Sequence, residues 1–195
     1  MPNRANVFVT NGASNHAEGE RAPLDYYATD PKAVELLLQL EDFQEDIWEP
    51  ACGGGHISQV LEAHGYNVRS SDIEDYGFKG TELLDFLQSK ERNKRDIITN
   101  PPYAKAADFV WHALDISEDG VKIAMFLKLT FLEGQGRREL FQQYPPRTVY
   151  VSSSRLQCVK NGDFEGYKDR SSAVAYAWFI WEKGTKRRPV IKWFN

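Results

Sequence analysis

Two short stretches carry the residue types and spacings from which chemistry is built. The sharper is Asn100-Pro101-Pro102-Tyr103, at the end of the apolar run Asp96-Ile97-Ile98-Thr99. Two successive prolines cannot donate backbone hydrogen bonds, and they stiffen the chain. They hold the Asn100 side chain and the Pro101 carbonyl as fixed acceptors at the carboxyl edge of a strand. Two acceptors so placed fit the two hydrogens of a planar amino group. Accepting both draws the nitrogen lone pair out of conjugation and makes the nitrogen a nucleophile. Tyr103 supplies a ring on which a planar target can stack.

The second stretch is Glu49-Pro50-Ala51-Cys52-Gly53-Gly54-Gly55-His56, between an apolar strand and a helix. Glycines there let the backbone turn tightly and approach a ligand with no side chain in the way. The helix N-terminus adds free N–H groups suited to a carboxylate or phosphate. Asp72 ends the next strand, at the spacing where an acid meets ribose hydroxyls in nucleotide-binding sheets. The pair points to an adenosine-containing cofactor. A nicotinamide cofactor favours GxGxxG, and the third glycine is missing here.

These stretches need elements to position them. Asp30 followed by Pro31 reads as a helix start, continued by Val34, Leu37, Leu38 and Leu40. Strands are expected at 46–50, 66–72, near 83–84, and at 96–99, 122–127, 148–152 and 172–181. Helices are expected at 57–64, 104–116 and 134–144. Alternating strands and helices imply a largely parallel sheet covered on both faces. Residues 1–24 are polar and read as a flexible arm, which leaves 25–195 as a single α/β domain.

The chain has 195 residues, 42% hydrophobic and 27% charged, the composition of an ordinary globular domain. It holds two cysteines, Cys52 and Cys158, too few for a disulfide framework or a zinc site, which points to a reducing, cytoplasmic setting with no metal. No apolar run approaches the about 20 residues of a membrane span, so no membrane partner is expected. The net charge of −4 argues against tight autonomous binding to duplex DNA. Local basic stretches remain at Lys90–Arg95 and Lys183–Arg188.

Asn-Pro-Pro-Tyr after a glycine loop resembles the amino-methyltransferases that use S-adenosylmethionine. The motif order is that of the gamma-type adenine-N6 DNA methyltransferases, in their short, phage-associated form. The resemblance runs from Asp25 to the end of the chain. It implies a class I, Rossmann-like fold: a seven-stranded, mostly parallel sheet with helices on both faces and an antiparallel strand at Ala173–Trp181. It also implies that Tyr27 and Thr29 lie beside the cofactor's methionine end. Glu49, Pro50, Ala51, Gly53 and Gly55 would surround its amino-acid portion, and Asp72 and Ile73 would meet its ribose and adenine. Asp85 would accept the adenine amino group, and Phe86 would pack on the ring. Asn100, Pro101, Pro102 and Tyr103 would be catalytic, with Asn100 also beside the cofactor.

The partner so implied is DNA. RNA adenine or guanine and a protein glutamine amide are planar amines that suit the same motif, and a non-catalytic cofactor-binding regulator shares the loop. Long members of the family carry a separate target-recognition domain, for which this chain has no room, so a short or relaxed target sequence is expected. The irregular stretch 152–171 interleaves Arg155, Lys160, Phe164, Tyr167, Lys168 and Arg170, as a nucleic-acid contact requires.

Overall fold

The computed structural model describes residues 27–160 and 174–194. Its centre is an eight-stranded sheet in the order β4-β3-β2-β5-β6-β9-β7-β10. Its strands are β2 (Asp46–Glu49), β3 (Asn67–Asp72), β4 (Glu82–Leu83), β5 (Asp96–Thr99), β6 (Lys122–Lys128), β7 (Thr148–Ser152), β9 (Tyr176–Glu182) and β10 (Val190–Phe194). β9 runs antiparallel to both β6 and β7, and the other pairings are parallel. The antiparallel strand thus stands where the apolar run near the C-terminus was expected to put it.

Among the described residues four α-helices cover the faces: α1 (Pro31–Leu40), α2 (His56–Ala63), α3 (Ala106–Ile116) and α4 (Arg138–Gln143). α1 starts as its residues dictate, with Pro31 in the first turn and the Asp30 carboxylate accepting from Lys32 N at 2.9 Å. Successive strand residues point to opposite faces, so each buried strand feeds two cores. Ile47, Ile98, Ala124, Phe126, Trp178 and Ile180 pack with α1 and α2. Trp48, Ile97, Ile123, Met125, Phe179 and Trp181 pack with α3 and α4. That two-sided burial is why these strands read as continuous apolar runs.

Three readings of the sequence are corrected. The sheet has an eighth strand, β10, paired in parallel with β7 from Val190↔Thr148 to Phe194↔Ser152. Val190, Ile191, Trp193 and Phe194 are residues that strands favour, but the run is short and Lys192 interrupts it. The stretch 152–171 is not wholly irregular, because β8 (Cys158–Lys160) pairs antiparallel with β1 (Tyr27–Thr29), with Thr29 opposite Cys158. The helix expected at 134–144 divides into a 3-10 turn, Gln135–Arg137, and the short α4.

Sheet order reverses between β2 and β5: β3 and β4 extend one way from β2, and β6 extends the other from β5. Loops diverge at such a point and leave a crevice at the carboxyl ends of the strands.

Candidate active site

A cavity of about 430 Å³ opens at that crevice. Its walls include Tyr27 and Thr29 from β1, Glu49 at the end of β2, Pro50 and Ala51 from the glycine loop, Asp72 at the end of β3 and Ile73 after it, Asp85 and Phe86, and Asn100 and Pro102 after β5. The fold therefore assembles most of the sequence-selected residues around one space. Gly53, Gly55, Pro101 and Tyr103 are not among the lining residues.

Gly53 and Gly55 act by shaping the loop. Both have positive φ, 51° and 77°. A Cβ on Gly55 would lie 2.3 Å from the Phe78 ring, so the segment after β3 closes directly on the loop. The loop is tied down by Cys52 N donating to Ser71 O at 3.0 Å and Gly53 N donating to Asp72 Oδ2 at 2.8 Å. Asp72 Oδ1 accepts from Glu74 N at 3.2 Å. Asp72 thus braces the turns on either side of it while facing the cavity. Burial pushes its carboxyl up, against the pull of those hydrogen bonds.

Glu49 is 1% exposed. Ser58 donates to Glu49 Oε2, and the Ser58 and Ser70 hydroxyls lie 2.6 Å apart. Burial pushes the Glu49 carboxyl well above the usual carboxylate range, and the nearby Asp72 charge adds to the effect. Asp85 caps a 3-10 turn, its Oδ1 accepting from Leu87 N at 3.0 Å. Phe86 is 2% exposed, edge-on to Trp48 at 5.2 Å and to His112 at 4.8 Å between ring centroids. It belongs to the core and forms part of the cavity wall at once.

Asn100 closes the site from the β5 side. Its Nδ2 donates to the Tyr27 carbonyl at 2.8 Å and lies 3.6 Å from Cys158 Sγ. Its Oδ1 is buried without a hydrogen-bond partner. Pro101 is buried, and the Pro102 carbonyl accepts from Lys105 N at 2.9 Å, opening the 3-10 turn Tyr103–Lys105.

Tyr103 is placed differently from the expected stacking platform. Its ring stacks on Tyr27 at 5.3 Å, and its hydroxyl donates to the Tyr176 hydroxyl at 3.1 Å. Lys128 Nζ sits 4.3 Å from the ring centroid. Burial pushes the Tyr103 hydroxyl well up.

The cavity also touches residues that sequence reasoning did not select as site residues: Cys52 and His56 within the glycine-loop motif, and Ala28, Ile57, Tyr76, Leu87, Gln88, Lys105 and Phe109. Most are chain neighbours of the motifs, and adjacency was the available signal. Tyr76 carried none, and Phe109 was read as core, which it also is.

Of the expected nucleic-acid contacts, Arg155 is exposed between β7 and β8. Phe164, Tyr167, Lys168, Arg170 and the side chain of Lys160 lie outside the described residues. The two basic stretches stand away from the cavity. Lys183–Arg188 follows Glu182, which pairs with Lys122 at the start of β6, and Lys90–Arg95 precedes β5. Both lie at the amino-terminal edge of the parallel strands, opposite Asn100.

No protein-family model matches this chain, and no curated protein matches its sequence. Solved structures do match. One is described as a class I S-adenosylmethionine-dependent methyltransferase of Listeria monocytogenes, at a TM-score of 0.64 and 12% identity, covering 90% of this chain and 68% of that one. The fold is that of the class I methyltransferases. A modification subunit described as belonging to a type I restriction enzyme of Vibrio vulnificus matches at a TM-score of 0.60 and 11% identity, over 86% of this chain and 47% of its own. A protein of Pyrococcus horikoshii described as an RNA methyltransferase matches at 0.55 and 13% identity, over 78% and 81%. In this class I fold no described helix is long and apolar enough to cross a membrane, and the described residues hold no group of three or more potential metal ligands.

Proposed function

We propose that this chain is an S-adenosylmethionine-dependent amino-methyltransferase whose target is the exocyclic amine of adenine in DNA. The observation that carries the reading is the Asn100 amide. Its nitrogen is occupied by the Tyr27 carbonyl, and its oxygen is buried and unpartnered beside the cavity. A buried acceptor without a partner is costly, and a site presenting one favours a ligand that brings N–H.

The residues present fit the cofactor. The cavity lies within the range of about 300–1,000 Å³ usual for small-molecule sites. Asp72 and Asp85 offer carboxylates for ribose hydroxyls and the adenine amine, Ile73 and Phe86 offer apolar faces, and the Thr29 hydroxyl, buried without a hydrogen-bond partner, is available to the methionine end. The bound cofactor supplies an electrophilic methyl group on a sulfonium. Asn100 Oδ1 would accept one hydrogen of the target amine and the Pro101 carbonyl, as the Asn-Pro-Pro-Tyr resemblance implies, the other, holding the lone pair out of the ring's conjugation. The amine nitrogen would gain the methyl group as the sulfur–methyl bond breaks and its electron pair returns to sulfur, leaving a neutral thioether, and the nitrogen would then release one proton. Much of the rate comes from orientation. Adenine inside a duplex must first be flipped out of the stack, at a few kcal/mol.

The Vibrio and Pyrococcus structures support a nucleic-acid substrate, and the Asn-Pro-Pro-Tyr stretch supports an amine. The test is incubation with tritiated cofactor followed by separation of DNA, RNA and protein. Label should enter DNA adenine. Asn100→Ala should abolish it while calorimetric cofactor affinity stays within about twofold. Label confined to RNA or protein, or activity surviving in Asn100→Ala within a few-fold, overturns the reading.

A further inference from the structure

We propose that Cys158 is a positioning residue for the Asn100 amide, and that the β1–β8 ribbon exists in part to give that amide its polarity. The inference rests on the amino-methyltransferase reading and names the feature that selects an amine. The two ends of an Asn side chain have nearly the same shape, and its terminal torsion is broad and two-fold. Only the chemistry of the partners decides which end faces the cavity.

Here the partners are unequivocal. A backbone carbonyl can only accept, so the group 2.8 Å from the Tyr27 oxygen must be the amide nitrogen. An oxygen there would meet another oxygen. The second amide hydrogen has Cys158 Sγ at 3.6 Å, and a thiol sulfur is a weak acceptor. With both hydrogens engaged, Oδ1 is the only free atom of the group, and it is buried without a partner.

The sulfur is held in place by its own strand. Thr29 pairs with Cys158 in the same ladder in which Tyr27 pairs with Lys160. One two-stranded ribbon therefore supplies both acceptors, the Tyr27 carbonyl and the Cys158 sulfur. Burial pushes the thiol up to about 12. As a neutral thiol it offers the amide N–H a weak acceptor held in place by the ribbon. Without the sulfur, one N–H is released and the amide can swing about its terminal torsion, turning a donor toward a target that is itself a donor.

The test compares Cys158→Ala and Cys158→Ser with the parent, using DNA as substrate. Cys158→Ala should lower kcat about fivefold, the effect of one neutral hydrogen bond, with KM for DNA and cofactor affinity unchanged. Cys158→Ser, whose hydroxyl also accepts, should restore most of kcat. A second measurement needs no substrate: in the ligand-free protein both Asn100 side-chain amide protons should exchange slowly with water by NMR, and Cys158→Ala should quicken one of them. Unchanged kcat, an effect on KM alone, failure of serine to restore the rate, or unaltered exchange overturns the proposal. Should the parent methylate no pool at all, the proposed activity fails by that result, and the exchange measurement still decides the role of Cys158.

Discussion

Glu49 shows how far a single residue's chemistry departs from its type. A carboxyl usually sits in water, yet this one is 1% exposed at the end of β2, held by Ser58. Burial is the dominant cause that raises it, with the Asp72 charge acting in the same direction. Because its folded pKa lies above the unfolded value, the native state keeps a proton that the unfolded chain has already released. The stability it contributes is complete below the ordinary carboxylate range and is lost as pH rises through the folded pKa. Glu49→Gln removes the titration and keeps the size. Urea denaturation across a pH series should show a flatter decline toward neutrality than in the parent. Asp72 is raised too, so some decline should remain. Curves that stay parallel in the two proteins would show that Glu49 is ionised when buried.

At the scale of elements, the glycine loop and the segment after β3 behave as one unit. Phe78 covers Gly55, Thr81 Oγ1 donates to Phe78 O at 2.8 Å, and the same hydroxyl lies 3.5 Å from Cys52 Sγ. Ile73 and Tyr76 reach the cavity from this segment. Gly55→Ala meets two obstacles. The left-handed backbone costs an alanine about 1–2 kcal/mol, and the new methyl strikes the Phe78 ring. We expect a loss of about 2 kcal/mol or more in chemical denaturation, with weakened cofactor binding because Ile73 and Tyr76 must shift. Adding Phe78→Ala should relieve the clash and recover cofactor affinity in part, leaving the backbone cost. A Gly55→Ala protein that matches the parent in both measurements would refute this coupling.

At the scale of the whole molecule, described basic residues fall at two opposite edges of the sheet. Lys186, Arg187 and Arg188 lie in the β9–β10 connection at the edge opposite Asn100, whereas Lys105 lines the cavity and Arg155 is exposed after β7. Contacts to phosphate raise affinity without reading sequence, and each one lost should reduce the salt slope by about one. Replacing Lys186, Arg187 and Arg188 together by Gln should leave KM for DNA within about twofold, with the same salt dependence. Lys105→Gln together with Arg155→Gln should raise KM and flatten that dependence. The reverse pattern would place the polynucleotide on the far edge of the sheet.

Much of this was legible in the sequence because it depends on local rules. Apolar runs buried on both faces marked β2, β5, β6 and β9. Asp30-Pro31 marked the start of α1. The glycine loop, Asp72 and Asn100-Pro101-Pro102 announced themselves by backbone chemistry that few other residues supply. What depends on long-range pairing was not legible. β8 is three residues long, and its partner β1 lies more than a hundred positions earlier. β10 is short, interrupted by Lys192, and stands as a strand through its ladder with β7. The packing of Tyr103 against Tyr27 and Tyr176 was not legible either, because only the folded chain brings those rings together. The sequence by itself determined which acceptor stands at the end of β5. Tertiary structure decided which end of that amide faces the cavity, because a side-chain amide takes its orientation from its neighbours, and those neighbours come from a ribbon joining the segment before α1 to the segment after β7.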